Sequence, residues 1–176
     1  RHVCRPVEEA AKFLRRYTDD TISRLRAFAA VRTPARVDVL HADARTVSLP
    51  SRLTGIITSP PYPGLIDYHE QHRYAYELLG LEDLRADEIG AAARGTARAA
   101  LRDYVRATAA VLAHANERLP RGSPVVIVVN DSRRLYPAIL EASGLELEER
   151  LTRHVNRRTG RRRGEFFEDV LVCRTA

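Results

Sequence analysis

The run Pro124–Val129 (PVVIVV) constrains the fold of this chain more than any other feature of the sequence. Every residue after the proline is apolar and β-branched, and turn-forming segments bound the run at 120–122 and 130–132. A short uninterrupted run of this kind is typical of a strand that is buried on both faces of a sheet. Because such a strand needs helices packed against it, the run predicts a layered α/β protein.

Helical and strand patterns alternate along the rest of the chain, which supports the same fold class. Apolar residues recur at three- and four-residue steps in 6–31, 101–119 and 135–142, as they do in amphipathic helices. Further strands are predicted at Val37–Leu40, Leu53–Thr58, Leu145–His154 and Phe166–Cys173. The last two should form an antiparallel hairpin at the edge of the sheet.

We expect one domain across residues 1–176. An N-terminal helical segment (1–32) leads into two strands (37–62), a helical section (65–119) and the C-terminal strands (124–173). A chain of 176 residues is long enough to bury a core. Its hydrophobic content of 44% is too high for a disordered protein.

The composition also limits where the protein works and what it binds. No apolar run approaches the roughly 20 residues that cross a bilayer, and the charged start is unlike a signal peptide, so we expect a cytoplasmic protein. The net charge is +6, and almost all of the positively charged residues are arginine. This favours a nucleic-acid partner only modestly, since a GC-rich genome produces the same bias. The spacings of Cys4 and Cys173, and of His69 and His72, match no established metal signature, so we predict no metal site.

The tetrapeptide Ser59-Pro60-Pro61-Tyr62 directly follows a predicted strand and suggests a function. Its prolines stiffen the chain and remove two backbone donors, so carbonyl groups are left to accept hydrogen bonds. Acceptors such as the Pro60 carbonyl and the Ser59 side chain can orient an exocyclic amine for methylation. Tyr62 offers a flat face on which an extruded base can stack. Ligands of open α/β sheets also bind at the carboxyl ends of strands.

The segment Thr58–Tyr62, preceded by Gly-Ile-Ile at 55–57, resembles motif IV of the S-adenosylmethionine-dependent amino-methyltransferases of DNA. These enzymes make N4-methylcytosine or N6-methyladenine, and the serine form of the motif is commoner among the cytosine-N4 enzymes. The resemblance implies a Rossmann-like seven-stranded sheet, mostly parallel with an antiparallel terminal hairpin, and this chain would supply its C-terminal part. It also implies that Ser59, Pro60, Pro61 and Tyr62 are the catalytic residues.

The segment His41–Ala44 (HADA) is similar to the acidic motif that precedes motif IV in this family. By that resemblance Asp43 would bind the adenine amino group of S-adenosylmethionine, with Ala44 and Thr58 beside it at the cofactor. A strand, an acidic turn, about a dozen residues and a second strand ending in the proline pair match the family's order. An acidic residue that only caps a helix is the simpler alternative for Asp43.

One part of the family pattern is missing from this sequence. The family has a glycine-rich motif, Phe-x-Gly-x-Gly, that cradles the methionine part of the cofactor. The glycines of this chain are isolated, and none follows a strand into a helix. The acidic residue that holds the cofactor ribose has no evident equivalent either. We therefore expect a second polypeptide, or an N-terminal segment outside this sequence, to supply those parts.

Two segments are candidates for contact with nucleic acid. Residues 157–164 hold the arginines Arg157, Arg158, Arg161, Arg162 and Arg163 together with two glycines, so a basic loop able to contact phosphates is predicted. Tyr68, which follows the tetrapeptide, should line the pocket for the target base. A solvated loop and a solvated helix start are the alternatives for these two segments.

The leading interpretation is therefore methyl transfer to a DNA base amine, with cytosine N4 preferred because of Ser59. An RNA base methyltransferase remains open, because related Pro-Pro-Tyr motifs occur in such enzymes. A non-catalytic subunit that binds DNA or a partner is also open, because the glycine-rich motif is missing. A hydrolase is disfavoured, since Ser59 lies in no Gly-x-Ser-x-Gly elbow.

Overall fold

The structure is a computed structural model in which residues 9–155 and 166–176 are described. It divides into two compact units, Arg1–Leu40 and His41–Ala176. In the first unit, helix α1 (Ala10–Val31) ends at Arg32, just before the Thr33-Pro34 pair. Proline disfavours the helical conformation of the residue before it, so the sequence ends the helix here. The apolar side chains of α1, among them Leu14, Leu25 and Phe28, are exposed.

The second unit is built on a sheet of four strands among the described residues. They are β1 (Ile56–Thr58), β2 (Pro124–Val129), β3 (Leu145–His154) and β4 (Phe167–Thr175), in the order β1-β2-β4-β3. Strand β1 is parallel to β2, and β4 is antiparallel to both β2 and β3. Three strands therefore run in one direction and β4 runs against them, which makes the unit a mixed α/β structure.

The predicted terminal hairpin is present at one edge of the sheet, with β3 as the edge strand. Strand β4 is inserted between β2 and β3, so it is an inner strand, and only the β1·β2 pairing is parallel. The described part of the sheet is therefore mixed, with three strands in one direction and an antiparallel terminal hairpin. Burial explains the order, because alternate β4 residues from Asp169 to Thr175 are buried. Strand β3 is largely charged and buries only Leu145, as suits an edge strand.

The prediction of a strand at Val37–Leu40 is wrong. This segment is irregular in the first unit, and Val37 and Val39 are 79% and 88% exposed. A β-prone sequence forms a strand only where a neighbouring backbone can pair with it, and no described strand pairs with this one. The predicted strand Leu53–Thr58 is shortened to β1 for the same reason, since only Ile56–Thr58 is paired. Seven strands are not seen among the described residues.

The helical section after β1 is broken into several pieces. It contains α2 (Tyr68–Gln71), α3 (Arg73–Leu79), short 3₁₀ turns at 85–87 and 92–94, and the long α4 (Arg98–Asn116). Gly80 ends α3 in the left-handed conformation (φ 61°), which glycine adopts at little cost. After β2, helix α5 (Tyr136–Ser143) ends in the same way at Gly144. No described helix is both long enough and apolar enough to span a membrane.

Helices α4 and α5 form the core together with one face of the sheet. Residues Val125, Ile127 and Val129 of β2 are almost fully buried in one cluster with residues of both helices. We call this the closed face of the sheet. The opposite face, the open face, carries Ile57, Val126, Val128, Leu151, Val170 and Val172, which lie outside that cluster. Ile57 on β1 is 85% exposed.

Candidate active site

The tetrapeptide lies at the carboxyl end of β1, where the parallel neighbour β2 also ends. Thr58 is paired with Ile127, so Ser59 comes next to Val128 on the adjacent strand. The Ser59 hydroxyl donates a hydrogen bond to the Val128 carbonyl over 3.0 Å. With its proton donated there, the oxygen of the exposed Ser59 keeps lone pairs that can accept hydrogen bonds.

The proline pair is held from the core side by two buried tyrosines. Tyr104 of α4 donates a hydrogen bond to the Pro61 carbonyl at 2.9 Å, and the Tyr136 hydroxyl lies 3.2 Å from the Tyr104 hydroxyl. Burial raises the pKa of both tyrosines, so both hydroxyls stay protonated. With Tyr104 donating to Pro61, the chain of bonds runs from Tyr136 through Tyr104 to the loop. Among the described residues, no hydrogen bond to the Pro60 carbonyl is found.

Tyr62 is half-buried and tied to the β3–β4 hairpin. Its hydroxyl donates to Glu168 Oε1 at 2.7 Å, and its ring centroid lies 6.2 Å from that of Phe166. Burial raises the pKa of Tyr62, and the Glu168 carboxylate raises it further, while Ser59 and Arg153 act in the opposite direction. Tyr62 is therefore a neutral hydrogen-bond donor, and the Ser59 hydroxyl lies close enough to influence it.

The loop after the tetrapeptide is fastened to residues 88–92 by backbone hydrogen bonds. Gly64 N–H donates to the Gly90 carbonyl at 2.9 Å, and Ala92 N–H donates to the Ile66 carbonyl at 3.0 Å. Gly64 has φ +70°, and a Cβ there would come within 2.5 Å of the Thr96 methyl group. Only glycine fits this position, so the sequence fixes a close approach of the two segments.

Glu88 organises the start of the helix that follows the loop. Its carboxylate accepts hydrogen bonds from the Tyr68 N–H at 2.7 Å and the His69 N–H at 3.4 Å. The Leu84 N–H donates to His69 Nε2, so the proton of a neutral His69 ring lies on Nδ1, which is 3.3 Å from Glu88 Oε2. His69 therefore has a structural role, and no group of three metal-ligating side chains occurs in the described part of the chain.

Asp43 lies in a turn upstream of β1 and is bound by its neighbour. Arg45 donates to both Asp43 carboxylate oxygens from its guanidinium and to one of them from its backbone N–H. These hydrogen bonds hold the pKa of Asp43 below its usual value, so the carboxylate is ionised. Asp43 and the adjacent Ala44 are exposed, while Thr58 is half-buried in β1.

A narrow cleft connects the acidic turn with the loop after the tetrapeptide. Arg45, Pro63, Gly90 and Tyr104 are among the residues that line it, and its volume is about 60 Å³. That is room for about two water molecules, whereas a cavity for a drug-sized ligand holds roughly 300 Å³ or more. The two segments thus meet, but the cleft between them is too small for a nucleotide cofactor.

The tetrapeptide could be recognised in the sequence, but the side chains that hold it could not. Tyr104, Tyr136, Glu168 and Glu88 all come from distant parts of the chain, and no local pattern marks them. The buried face of α4 was predicted, and it contains Tyr104, but its hydrogen bond to Pro61 was not foreseeable. Tyr68 lies at the start of α2 and is 41% exposed. The basic loop with Arg157, Arg158, Arg161, Arg162 and Arg163 lies outside the described residues.

Comparison with known proteins identifies one informative relative. The chain is 38% identical over 183 aligned residues to the type II methyltransferase M.MjaII of Methanocaldococcus jannaschii. The alignment covers 96% of this chain but 34% of the relative, so the chain spans about a third of that enzyme's length. No family model and no solved structure matches the chain. The similarity supports a relationship to methyltransferases.

Proposed function

We propose that this chain forms the target-base half of an S-adenosylmethionine-dependent methyltransferase that modifies an exocyclic amine of a DNA base. The observation that carries the proposal is the state of Ser59 at the carboxyl end of β1. Its proton is donated to the Val128 carbonyl, so its exposed oxygen is held as an acceptor. The similarity to a type II methyltransferase supports the same reaction class.

A hydrogen-bond acceptor at this position can orient the amine of the target base. The lone pair of an exocyclic amine is delocalised into the base, and the nitrogen attacks only when it is oriented and polarised. Two acceptors beside the amine, the Ser59 oxygen and the Pro60 carbonyl, can receive its two N–H groups. Tyr104 holds the neighbouring Pro61 carbonyl, which stiffens the pair and leaves the Pro60 carbonyl available. Positioning of this kind lowers the barrier without any covalent intermediate.

Tyr62 would then provide the stacking surface for the extruded base. Enzymes that modify bases take the target out of the stack and hold it against aromatic side chains. Tyr62 is held at its hydroxyl by Glu168 and is only half-buried, so part of its ring is accessible. Tyr68 at the start of α2 is exposed and would extend the pocket.

The described residues fit one end of the cofactor. Bound S-adenosylmethionine would supply a methyl group on a positively charged sulfur. Asp43, an ionised and exposed carboxylate, can accept hydrogen bonds from the adenine amino group after Arg45 gives up part of its pairing. Ala44 and Thr58 would flank it. The cleft between these segments, with a volume of about 60 Å³, is too small for the rest of the cofactor, and the sequence contains no glycine-rich motif.

We therefore propose that the rest of the cofactor site comes from polypeptide outside this sequence, either a partner chain or another segment of the same protein. The relative is about three times longer than the aligned region. Among the described strands, β1 pairs with β2 alone, so one of its edges is free. The open face next to this edge is apolar, and Ile57 is exposed on it. A further parallel strand with its covering helix would complete this edge.

DNA is proposed as the substrate and cytosine N4 as the preferred atom, the latter because the motif begins with serine. The basic loop 157–164 would contact the phosphate backbone, which positions an enzyme without reading sequence. A non-catalytic subunit is the second candidate, and the missing glycine-rich motif favours it. Binding of DNA by the complete protein without methyl transfer would decide for that candidate.

The Ser59 side chain offers the first test, carried out on the complete protein that contains this chain and the cofactor-binding part. Ser59→Ala removes the acceptor and should lower kcat about 10²-fold with little change in KM for DNA, as for other groups that act in the transition state. Ser59→Asn keeps an acceptor and should retain more activity than Ser59→Ala. Thr54→Ala, an exposed change just before β1, is the matched control. Equal activity of Ser59→Ala and the unsubstituted enzyme would contradict the proposal.

A further inference from the structure

The β3–β4 hairpin holds the tyrosine of the tetrapeptide through a side-chain relay. Tyr62 donates to Oε1 of Glu168, and Arg153 donates to the other oxygen, Oε2, from Nε at 3.0 Å and Nη2 at 2.6 Å. Glu168 is thus bonded on one side by the loop and on the other by the neighbouring strand. The three residues are 15 and 106 positions apart in sequence, so only the fold brings them together.

The burial of the Glu168 side chain restricts the positions that its carboxylate can take. The Glu168 side chain is 12% exposed, while that of Arg153 is 61% exposed. A carboxylate that is largely removed from water needs partners, and here the phenol and the guanidinium provide them. Arg153 and Glu168 face each other in the register of β3 and β4, so the sheet fixes the carboxylate in place.

A second residue of the same hairpin, Phe166, lies beside the Tyr62 ring. Phe166 lies two residues before Glu168, its carbonyl accepts the Val155 N–H at 2.8 Å, and its ring is tilted 42° against that of Tyr62. The Tyr62 ring is therefore held at its hydroxyl by Glu168 and lies beside the Phe166 ring. A ring held in this way presents a stacking face without the loss of rotational freedom that a free side chain would undergo.

We propose that Glu168 is a positioning residue for methyl transfer, which sets the orientation of the Tyr62 ring for the target base while Arg153 fixes Glu168. This inference rests on the proposed function, because it assumes that Tyr62 stacks on a base. It adds a residue from the last strand of the sheet to a site that the tetrapeptide alone does not define.

A double-mutant cycle with methyl transfer as the readout tests the relay in the complete protein. Glu168→Ala should lower kcat about 10- to 100-fold, the range that a misplaced reactive geometry produces. Tyr62→Phe keeps the ring and removes the hydroxyl, and it should have a similar effect. If Glu168 acts through that hydroxyl, Glu168→Ala has no further effect in the Tyr62→Phe protein. Glu168→Gln keeps an acceptor for Tyr62 and should recover most of kcat.

Two controls separate positioning from general damage to the hairpin. Glu148→Ala breaks another ion pair between the same strands, with Arg174 at 2.9 Å, and it should leave kcat unchanged. Ring flipping of Tyr62, measured by NMR with labelled tyrosine in the complete protein, should be faster in Glu168→Ala and unchanged in Glu148→Ala. A purely structural role would lower stability in both variants without this difference in ring motion.

The outcomes distinguish this inference from the function on which it rests. Independent, additive effects of Glu168→Ala and Tyr62→Phe would overturn the relay while leaving the methyltransferase function intact. An unchanged kcat for Glu168→Ala in an active parent enzyme would do the same. Absence of methyl transfer by the unsubstituted complete protein would refute the proposed function, and the inference with it.

Discussion

The two faces of the sheet differ sharply, although the same strands form both. On the closed face Val125, Ile127 and Val129 are packed against α4 and α5 and are at most 1% exposed. On the open face Val126, Val128, Val170 and Val172 are only half-buried. Both faces are apolar, so hydrophobicity alone does not explain the difference. The closed face forms the core of this unit, whereas the open face has the composition of an interface.

The difference also explains where the candidate site lies. Ser59 follows β1, the strand with a free edge, and its hydroxyl bonds to Val128 of the open face. Tyr104, on the closed side, holds Pro61. The tetrapeptide thus stands at the boundary between the stable core and the surface where further polypeptide is proposed to bind.

The largest effect is expected from truncation on the closed face. Ile127→Ala should lower the free energy of unfolding by about 2–5 kcal/mol, because Ile127 is fully buried and the change leaves a cavity. Chemical denaturation of the isolated chain measures it. A loss under about 1 kcal/mol would show that the closed face is not the core of this unit.

A somewhat smaller effect is expected where the loop after the tetrapeptide approaches α4. Gly64→Ala should cost about 2–4 kcal/mol, from the left-handed backbone and from contact with the Thr96 methyl group. Gly80→Ala is the matched control, since Gly80 has a similar φ of +61° but open space around its Cβ position, and it should cost about 1–2 kcal/mol. Equal costs in thermal denaturation would refute the close packing of the loop.

A third test concerns the carboxylates at the closed face. Arg150 and Thr152 donate to Asp169 and lower its pKa, so the stabilisation is present above about pH 4 and is lost as the pH falls through the lowered value. Asp169→Asn should cost about 1–3 kcal/mol near neutral pH and weaken the decline of Tm toward acid.

Asp131 should behave in the opposite way and serves as the control for that test. Burial raises its pKa, so its contribution favours folding at low pH and declines as the pH rises through the raised value. Asp131→Asn should therefore steepen the fall of Tm toward acid. The same pH dependence in both variants would contradict the assigned environments.

The smallest effect on stability is expected at the open face. Ile57→Ala should change the unfolding free energy of the isolated chain by no more than about 0.5 kcal/mol, because Ile57 is 85% exposed. In the complete protein, however, the same change should weaken association with the cofactor-binding part, measurable by limited proteolysis or by sedimentation. A large loss of stability in the isolated chain would remove the contrast between the two faces.

Much of the second unit could be predicted from the sequence because its patterns are local. The run Pro124–Val129 is β2 to the residue, and α5 and the terminal hairpin lie within two residues of their predicted bounds. Each has an apolar period and a clear stop signal, such as Gly144 after α5. Features of this kind are local, so they can be recognised in the sequence without knowledge of tertiary contacts.

The predictions from sequence were wrong or incomplete where tertiary contacts determine the structure. Val37–Leu40 has a β-prone sequence, but a strand requires a neighbour, and none of the described strands pairs with it. The inner position of β4 buries alternate residues such as Leu171, and the local sequence does not show which strands will lie on either side of it. The residues that hold the candidate site, Tyr104 and Glu168, were missed because long-range hydrogen bonds leave no local pattern.

The central claim is that the Ser59 oxygen accepts hydrogen bonds from a base amine that becomes methylated. The most direct measurement uses methyl-tritiated S-adenosylmethionine with DNA and the complete protein, followed by digestion of the DNA to nucleosides. The predicted result is label in N4-methylcytosine, reduced about 10²-fold by Ser59→Ala. Label in 5-methylcytosine, label only in RNA, or no transfer at all would contradict it.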